Sequence, residues 1–177
     1  MVSGFVDAIM VTEYSLAVFD AIVNQIKVSP SCKLIHVETG VGASSQFWGP
    51  RLLALDRNAS LSSALEPFNK GLFSHGSASA YPPDRSQALF PTALEIAWSN
   101  SSLDGTAAFM LHNISDTVRD VALADGQNVS HAAKYPNYAL FGTPLEDMYG
   151  RNVERLRKIR AAVDREDVMG LAGGWKF

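Results

Sequence analysis

Apolar residues recur at intervals of three and four near the start of the chain, where Phe19, Ile22 and Ile26 stand among few charges. This spacing is typical of a helix that buries one face against a core. We therefore predict an amphipathic helix over residues 6–26, ending near Pro30.

The next third of the chain has a weaker pattern. β-Branched residues bounded by turn residues predict a short strand over 33–38, followed by a loop over 40–51. Ser60 or Ser62 as a helix cap predicts a short helix over 61–68. Residues 74–84 are rich in Ser, Gly, Ala and Pro, which predicts an irregular loop, the most mobile part of the molecule.

The second half carries the clearest signals. Apolar residues at every second position predict a strand over 89–98. A long helix is predicted over 106–124, with Phe109 in its apolar stripe and Gly126 as the stop signal. A last helix is predicted over 144–163.

The order of these elements decides the fold class. Strands and helices do not alternate strictly enough for a doubly wound sheet, so we predict an α+β fold, with a mostly antiparallel sheet and helices packed on one face. The chain has 177 residues, of which 47% are hydrophobic, so it is predicted to form a single domain over residues 1–177.

Charge and cysteine content exclude several classes of function. The net charge of -3 leaves no electrostatic footprint for nucleic acid over the whole domain. Cys32 stands alone, which excludes an internal disulfide and a cysteine-based zinc site. No signal peptide or membrane-spanning run is visible, so we expect a cytoplasmic protein with no membrane partner.

Common cofactor motifs are also missing. The glycines within residues 39–43 lack the spacing of a phosphate-binding loop, and we interpret them as a turn. The four histidines do not follow a recognised metal-binding spacing, so no metal is predicted. His131 precedes a tyrosine-rich segment and is the best acid or base candidate among them.

The most informative segment is Tyr135-Pro-Asn-Tyr-Ala-Leu140. Two tyrosines and an amide within four residues need hydrogen-bond partners when they are buried. In an extended segment, Tyr135 and Asn137 would point to one side and Tyr138 to the other. Polar-tipped aromatic residues at a sheet edge and a functional site both remain compatible with this pattern.

Residues 135–140, together with 144–156, Val163-Asp164 and 168–177, resemble the C-terminal end of fungal FAD-linked oxidases of the berberine-bridge-enzyme-like group, including solanapyrone-synthase-like members. Upstream, the predicted strand at Ala93–Trp98 and the helix that follows it look like the substrate domain of that family. The resemblance is specific over roughly the last 45 residues, where short motifs occur in the family's order and spacing.

The resemblance implies roles for single residues. Tyr138 corresponds to a tyrosine that in several members takes a hydroxyl proton from the substrate beside the flavin. Asn137 and Asn152 correspond to positions that lie against the flavin or support the motif. Arg165 departs from the family pattern, which usually has proline there, and this changes a turn rather than the chemistry.

The flavin-binding domain of these oxidases has no counterpart in this chain. We therefore expect no cofactor, and predict a cofactor-independent cyclase that performs a Diels–Alder-like [4+2] cycloaddition, after a dehydration where the precursor carries a hydroxyl group. Such a reaction needs a shaped apolar pocket and a few hydrogen-bond donors. The predicted catalytic residues are Tyr138, His131 and Tyr135. The predicted substrate-binding residues are Trp98, Asn137, Asn152 and Phe109.

Two other interpretations stay open. The chain could be a fragment or split half of an FAD-linked oxidase that works with a flavin-binding partner, or a non-catalytic binding protein for small molecules. For the cyclase and the binding protein, the face that meets the flavin domain in relatives would be uncovered, so we predict a homodimer. The expected ligand is a polyketide or terpenoid-like small molecule.

Overall fold

The computed structural model describes residues 3–26, 48–66, 68–75, 78–171 and 173–177. The strands are β1 (Ser3–Val11), β2 (Ser60–Leu65) and β3 (Phe90–Trp98). The α-helices are α1 (Leu16–Ile26), α2 (Trp48–Leu55), α3 (Asp104–Ala124), α4 (Leu145–Tyr149), α5 (Val153–Val163) and α6 (Val168–Leu171). Single 3₁₀ turns span Leu72–Ser74, Ser101–Leu103 and Gly150–Asn152.

The three strands form one antiparallel sheet in the order β1-β3-β2. Ser3 pairs with Trp98 at one end of β1 and Val11 pairs with Phe90 at the other, while Ser60 pairs with Ala97. Helices α1 and α3 pack on one face, where buried residues of strands and helices form a common core. The predicted α+β fold with a mostly antiparallel sheet is therefore confirmed.

Helix α3 supplies the largest part of that core. Its buried residues recur every three or four positions, and they are Ala107, Met110, Leu111, Ile114, Ser115, Val118 and Ala122. Gly126 ends the helix in the left-handed region at φ 85°, and the next residue, Gln127, donates its N–H to the Ala122 carbonyl. The predicted helix and its stop signal are confirmed, because this geometry favours glycine.

One predicted helix and the first part of another are instead strands. Residues 3–11 form β1, and only the second half of the helix predicted over 6–26 is present, as α1. β1 is buried without interruption from Asp7 to Val11, because both of its faces are covered there. A strand of this kind lacks the polar–apolar alternation that would distinguish it from a helix.

Residues 60–65 form β2, although a helix was predicted over 61–68. Leu61 and Leu65 are four residues apart, a spacing that places them on one face of a helix and also on one face of a strand. Pairing with β3 decides in favour of the strand. The predicted strand over 89–98 is confirmed as β3.

The remaining differences are local. Trp48–Leu55 is helical, so the predicted loop over 40–51 is wrong at its end, and the predicted strand over 33–38 lies outside the described residues. The helix predicted over 144–163 is broken into α4 and α5, because Gly150 adopts φ 53°. The described part of 74–84 is irregular beyond the turn at Ser74, as predicted.

A buried carboxylate ties the end of α2 to the end of β3. The Asp56 Oδ2 atom accepts hydrogen bonds from the Ser99 N–H at 2.6 Å and the Ser99 hydroxyl at 2.7 Å, and Oδ1 accepts from the Asn58 N–H at 2.9 Å. Hydrogen bonds to the ionised form favour it over the protonated form. The bonds from Ser99 and Asn58 therefore lower the pKa of Asp56 to about 2, against the opposing effect of burial.

This shift predicts how stability depends on pH. Because the folded-state pKa of Asp56 lies below its unfolded value, its contribution is complete above about pH 4 and is lost as the pH falls through about 2. Asp56→Asn should lower the melting temperature at pH 7, and its deficit against the wild type should shrink between pH 4 and pH 2. Thermal melts by circular dichroism across this range measure it. A deficit that does not vary with pH would contradict this role for Asp56.

Candidate functional site

Five aromatic side chains gather where the β2–β3 connection meets the segment after α3. This aromatic cluster is made of Phe68, Phe73, Tyr81, Tyr135 and Tyr138. Its neighbouring ring centroids lie 5.4 to 6.4 Å apart, mostly edge to face. Such pairs are favourable geometries for aromatic side chains, so the cluster holds two distant parts of the chain together.

A turn brings the two tyrosines of the cluster to the same side. The Tyr138 N–H donates to the Tyr135 carbonyl at 3.1 Å, and the two rings are 5.4 Å apart. The expectation that the tyrosines point to opposite sides of an extended segment is therefore wrong. Pro136 lies at the start of this turn, where its fixed φ favours the turn conformation over a strand.

The hydroxyl of Tyr138 donates a hydrogen bond to Oε1 of Glu66. Glu66 directly follows β2, and the N–H of Glu66 donates to the Pro91 carbonyl at 3.1 Å and to the Tyr14 hydroxyl at 2.9 Å. The Tyr14 hydroxyl donates in turn to the same Pro91 carbonyl at 2.9 Å. The carboxylate that meets Tyr138 is thus placed by a backbone that is fixed to β3.

The electrostatics of this pair keep the phenol protonated. The pKa of Tyr138 is raised by the hydrogen bond to Glu66, with smaller contributions from burial and from charge interactions with Glu66, Tyr135 and Glu95. A phenol with a raised pKa keeps its proton at neutral pH and donates a hydrogen bond. It accepts a proton from another group only after its own proton has passed to Glu66. At neutral pH the site therefore holds a phenol O–H beside a carboxylate rather than a free phenolate.

The segment that carries both tyrosines is anchored by a buried ion pair. Nζ of Lys134 donates to Oδ1 and Oδ2 of Asp7 at 3.1 and 3.0 Å. Asp7 is fully buried on β1 and also accepts from the Ser115 hydroxyl at 2.6 Å and from the Leu140 N–H at 3.4 Å. These bonds connect β1, α3 and both ends of the tyrosine segment through one carboxylate.

Two clefts lie near these groups. The first, of about 280 Å³, is a shallow groove on the sheet face opposite α1 and α3, and its floor is made of Gly4, Val6, Ser60, Ser62, Glu95 and Ala97. Glu95 accepts a hydrogen bond from the Ser62 hydroxyl at 3.2 Å, and its charge also acts on Tyr138. We call this surface the open sheet face, because its residues are exposed or only half-buried.

The second cleft, of about 310 Å³, lies beside the edge of β1 and is lined by residues of α3, the 129–134 segment and α4. His131 and Lys134 line this edge cleft, whereas Tyr138 does not. The predicted catalytic residues are therefore divided between two places. Tyr135 and Tyr138 share the aromatic cluster, and the group in contact with the Tyr138 hydroxyl is Glu66 rather than His131.

The predicted substrate-binding residues are also dispersed. Trp98 is fully buried in the core, where it packs against Phe5 at 4.7 Å and donates its indole N–H to Asp104, so it does not line a cleft. Phe109 was predicted in the apolar stripe of α3, but it is exposed, lies outside the buried face of that helix and packs edge to face on Trp48 at 6.0 Å.

The two asparagines make local contacts. The side-chain amide of Asn137 donates to the Tyr135 hydroxyl at 2.9 Å. That of Asn152 donates to the carbonyls of Ser79 and Ala80, both at 3.0 Å, and ties the β2–β3 connection to the turn between α4 and α5. Of this pair, Asn137 belongs to the tyrosine site, and Asn152 supports the loop beside it.

Sequence reasoning missed Glu66, Asp7 and Lys134. A signal was present for Asp7, because a lone carboxylate within an apolar strand needs a buried partner. Nothing in the sequence pairs Asp7 with Lys134, which lies 127 positions away. Glu66 could be found only after β2 was recognised as a strand, since its position depends on the register with β3.

No family model, curated protein or solved structure matches this chain. The described residues contain no group of three or more His, Cys, Asp or Glu side chains that could hold a metal ion. None of the helices in the described part of the chain has the length and apolar character needed to cross a bilayer.

The buried anchor predicts a large stability effect. Lys134→Met leaves the Asp7 carboxylate buried without its cation, so we expect a loss of about 3–5 kcal/mol in the free energy of unfolding. The double variant Asp7→Asn, Lys134→Met should lose less, because it buries no unpaired charge. Urea unfolding at pH 7 measures both.

Lys158→Met is the matched control, because Lys158 is exposed and its ion-pair partner among the described residues is Glu154 on the same helix. This control should stay within about 0.5 kcal/mol of the wild type. Equal stability of Lys134→Met and Lys158→Met would show that the ion pair does not anchor the segment.

The hydroxyl pair predicts a titration shift. Glu66→Gln should lower the pKa of Tyr138 toward 10, because it removes both the charge-assisted hydrogen bond and the negative charge. Glu95→Gln is the control and should lower it less, since Glu95 acts only through its charge. NMR titration of ¹³C-labelled tyrosine resolves the two effects. If the pKa of Tyr138 falls as much or more in Glu95→Gln, Glu66 is not the main influence on that pKa.

Proposed function

We propose that the chain is a cofactor-independent cyclase of natural-product biosynthesis, acting in the cytosol on an apolar polyketide or terpenoid-like molecule. The observation that carries the proposal is the hydrogen bond from Tyr138 to Glu66 beside the aromatic cluster. A proton donor and a carboxylate next to apolar rings form a site that can polarise a substrate carbonyl and hold an apolar chain. The resemblance of the sequence to the C-terminal end of FAD-linked oxidases, which also assigns a proton-transfer role to Tyr138, supports the proposal.

The cycloaddition itself needs no redox partner. A diene and an alkene exchange three π bonds for one π bond and two new C–C σ bonds, so no electron leaves the substrate. When the substrate binds, the single O–H proton of Tyr138 turns from Glu66 to the carbonyl that activates the alkene, and this hydrogen bond lowers the barrier without a change in protonation. The aromatic cluster holds the two reacting ends close together, which reduces the entropy cost of the step.

A precursor that carries a β-hydroxyl group needs a dehydration first. The free oxygen of Glu66 takes the proton next to the carbonyl, and the electron pair of the broken C–H bond forms the new double bond. The C–O bond breaks, and the hydroxyl group leaves as water with the proton of Tyr138. Glu66 then returns its proton to the phenolate across their hydrogen bond, so the pair ends as it began.

The open sheet face favours a second candidate function. Its floor of small and polar residues is exposed or half-buried in the described part of the chain, as the surface of a protein that works against another chain would be. This is the arrangement expected of a split half of an FAD-linked oxidase. Visible absorbance of the protein after incubation with excess FAD and desalting separates the candidates. A retained flavin band, or flavin-dependent oxidation restored by a partner chain, would replace the cyclase with the oxidase.

Substitutions at the pair test the cyclase. Linear polyenes that carry a diene and an activated alkene are incubated with the protein, and cyclised products are quantified by mass spectrometry. Tyr138→Phe should slow the cyclisation of an accepted polyene by roughly 10²-fold or more, and Glu66→Gln should slow the dehydration of a β-hydroxy precursor by a similar factor, with the fold intact. Tyr149→Phe is the control, because Tyr149 is half-buried against Phe177, outside the cluster. Its rate should match the wild type.

The same assay can contradict the proposal. Full activity of both Tyr138→Phe and Glu66→Gln would remove the pair from the mechanism. Saturable binding of polyenes without any acceleration of their cyclisation would indicate a binding protein instead.

A further inference from the structure

Residues 173–177 lie against the turn that carries the two tyrosines of the site. The indole N–H of Trp175 donates to the carbonyl of Pro136 at 3.3 Å, across 39 positions of the chain. The ring of Phe177 packs edge to face on Tyr149, with the ring centroids 5.0 Å apart. We call residues 173–177 the aromatic strap, and residues 135–138 the tyrosine turn.

The aromatic strap has one side against the protein and one side in solvent. Trp175 and Phe177 are half-buried, whereas Lys176 between them is exposed, as in an extended segment. The pKa of Asp167 is lowered by its hydrogen bond with Arg160 and, to a smaller extent, by the charges of Arg160 and Lys176. Three consecutive residues of the strap therefore each interact with a different part of the chain.

Two glycines set the direction of the aromatic strap. Gly173 and Gly174 adopt φ 91° and 90°, in the left-handed region that glycine enters without a steric penalty. The N–H of Gly173 donates to the carbonyl of Gly170 at 3.4 Å. The backbone therefore bends beyond α6, and the strap that follows this bend meets the tyrosine turn.

The contact from Trp175 falls between the two points where the buried ion pair holds this part of the chain. Asp7 binds Lys134 before the tyrosine turn and the N–H of Leu140 after it. Trp175 adds an attachment at the Pro136 carbonyl, between these two points. The aromatic cluster holds the tyrosine rings, and the strap holds the backbone between them.

We propose that Trp175 is a positioning residue for the tyrosine site: the docked aromatic strap holds the Pro136 carbonyl and so keeps the Tyr138 hydroxyl at Glu66. Pro136 lies within the turn that the hydrogen bond from the Tyr138 N–H to the Tyr135 carbonyl closes, so a displacement of Pro136 also displaces Tyr138. The effect on turnover rests on the proposed function, whereas the position of the phenol does not.

The same arrangement gives the site a means of control. Gly173, Gly174 and Lys176 are exposed, so release of the aromatic strap exposes little apolar surface beyond two half-buried rings. Segments with few buried contacts open at a low cost in free energy. Release of the strap therefore loosens the site without unfolding the sheet or α3.

Amide hydrogen exchange measured by NMR tests whether the strap holds the turn. The N–H groups of Tyr138 and Ala139 both donate to the Tyr135 carbonyl at 3.1 Å, so their exchange reports opening of the turn. Trp175→Ala should speed up the exchange of both amides by at least about 10-fold. The N–H of Gln127, which is bonded at the end of α3, should exchange at its wild-type rate.

The pKa of Tyr138, measured by NMR of ¹³C-labelled tyrosine, is a readout that a contact without a role in the site would not move. Trp175→Ala should lower it toward 10, because the phenol spends part of its time away from Glu66. Trp175→Phe keeps an aromatic ring and loses the N–H, so it should lower this pKa less. Phe141→Ala is the matched control, because Phe141 follows the same turn and is 90% exposed. It should change neither the exchange nor the pKa.

Unchanged amide exchange and an unchanged Tyr138 pKa in Trp175→Ala would overturn the positioning role, and so would equal changes in Phe141→Ala. Turnover of an accepted polyene separates this inference from the cyclase. Cyclisation slowed by about 10-fold in Trp175→Ala, together with faster exchange and a lower pKa, would support both. Faster exchange and a lower pKa with full turnover would support the positioning role of Trp175 and contradict the cyclase.

Discussion

The ion pair between Asp7 and Lys134 connects the parts of the structure that matter for the site. Asp7 is fully buried, and the cost of burying its charge is offset by Lys134, the Ser115 hydroxyl and the Leu140 N–H. The carboxylate belongs to a strand that is paired along nine residues with β3. The segment with Tyr135 and Tyr138 is held by Lys134 before it and Leu140 after it.

This constraint explains how a short turn can hold the Tyr138 phenol beside the Glu66 carboxylate. Pro136 and the hydrogen bond from the Tyr138 N–H to Tyr135 set the local shape, but they do not fix the turn against the sheet. The ion pair of Asp7 and Lys134 fixes the turn against the sheet. On the other side of the site, Glu66 is fixed to β3 by its backbone hydrogen bond to the Pro91 carbonyl. The hydroxyl and the carboxylate therefore meet because two rigid parts of the fold place them, as a proton-transfer pair requires.

The sequence predicted the elements whose signals are local. The α3 helix with Gly126 at its end and the β3 strand follow from periodicity and turn chemistry alone. β1 and β2 were predicted as helices, because pairing over long sequence distances overrides local spacing. The tyrosines of the site were found from their polar tips. Their partner Glu66 was missed, since its position depends on strand β2. Trp98 was predicted to line a pocket because it is aromatic, but it lies in the core.

The most direct test of this account is the pKa of Tyr138 in the double variant Asp7→Asn, Lys134→Met, measured by NMR titration of ¹³C-labelled tyrosine in the folded protein. Both substitutions lie away from the phenol, and together they leave no unpaired buried charge. If the anchor places the site, Tyr138 separates from Glu66 and its pKa falls toward 10, while the pKa of Tyr149, which is raised by burial alone, stays where it is. A Tyr138 pKa equal to that of the wild type would show that the segment keeps its position without the ion pair.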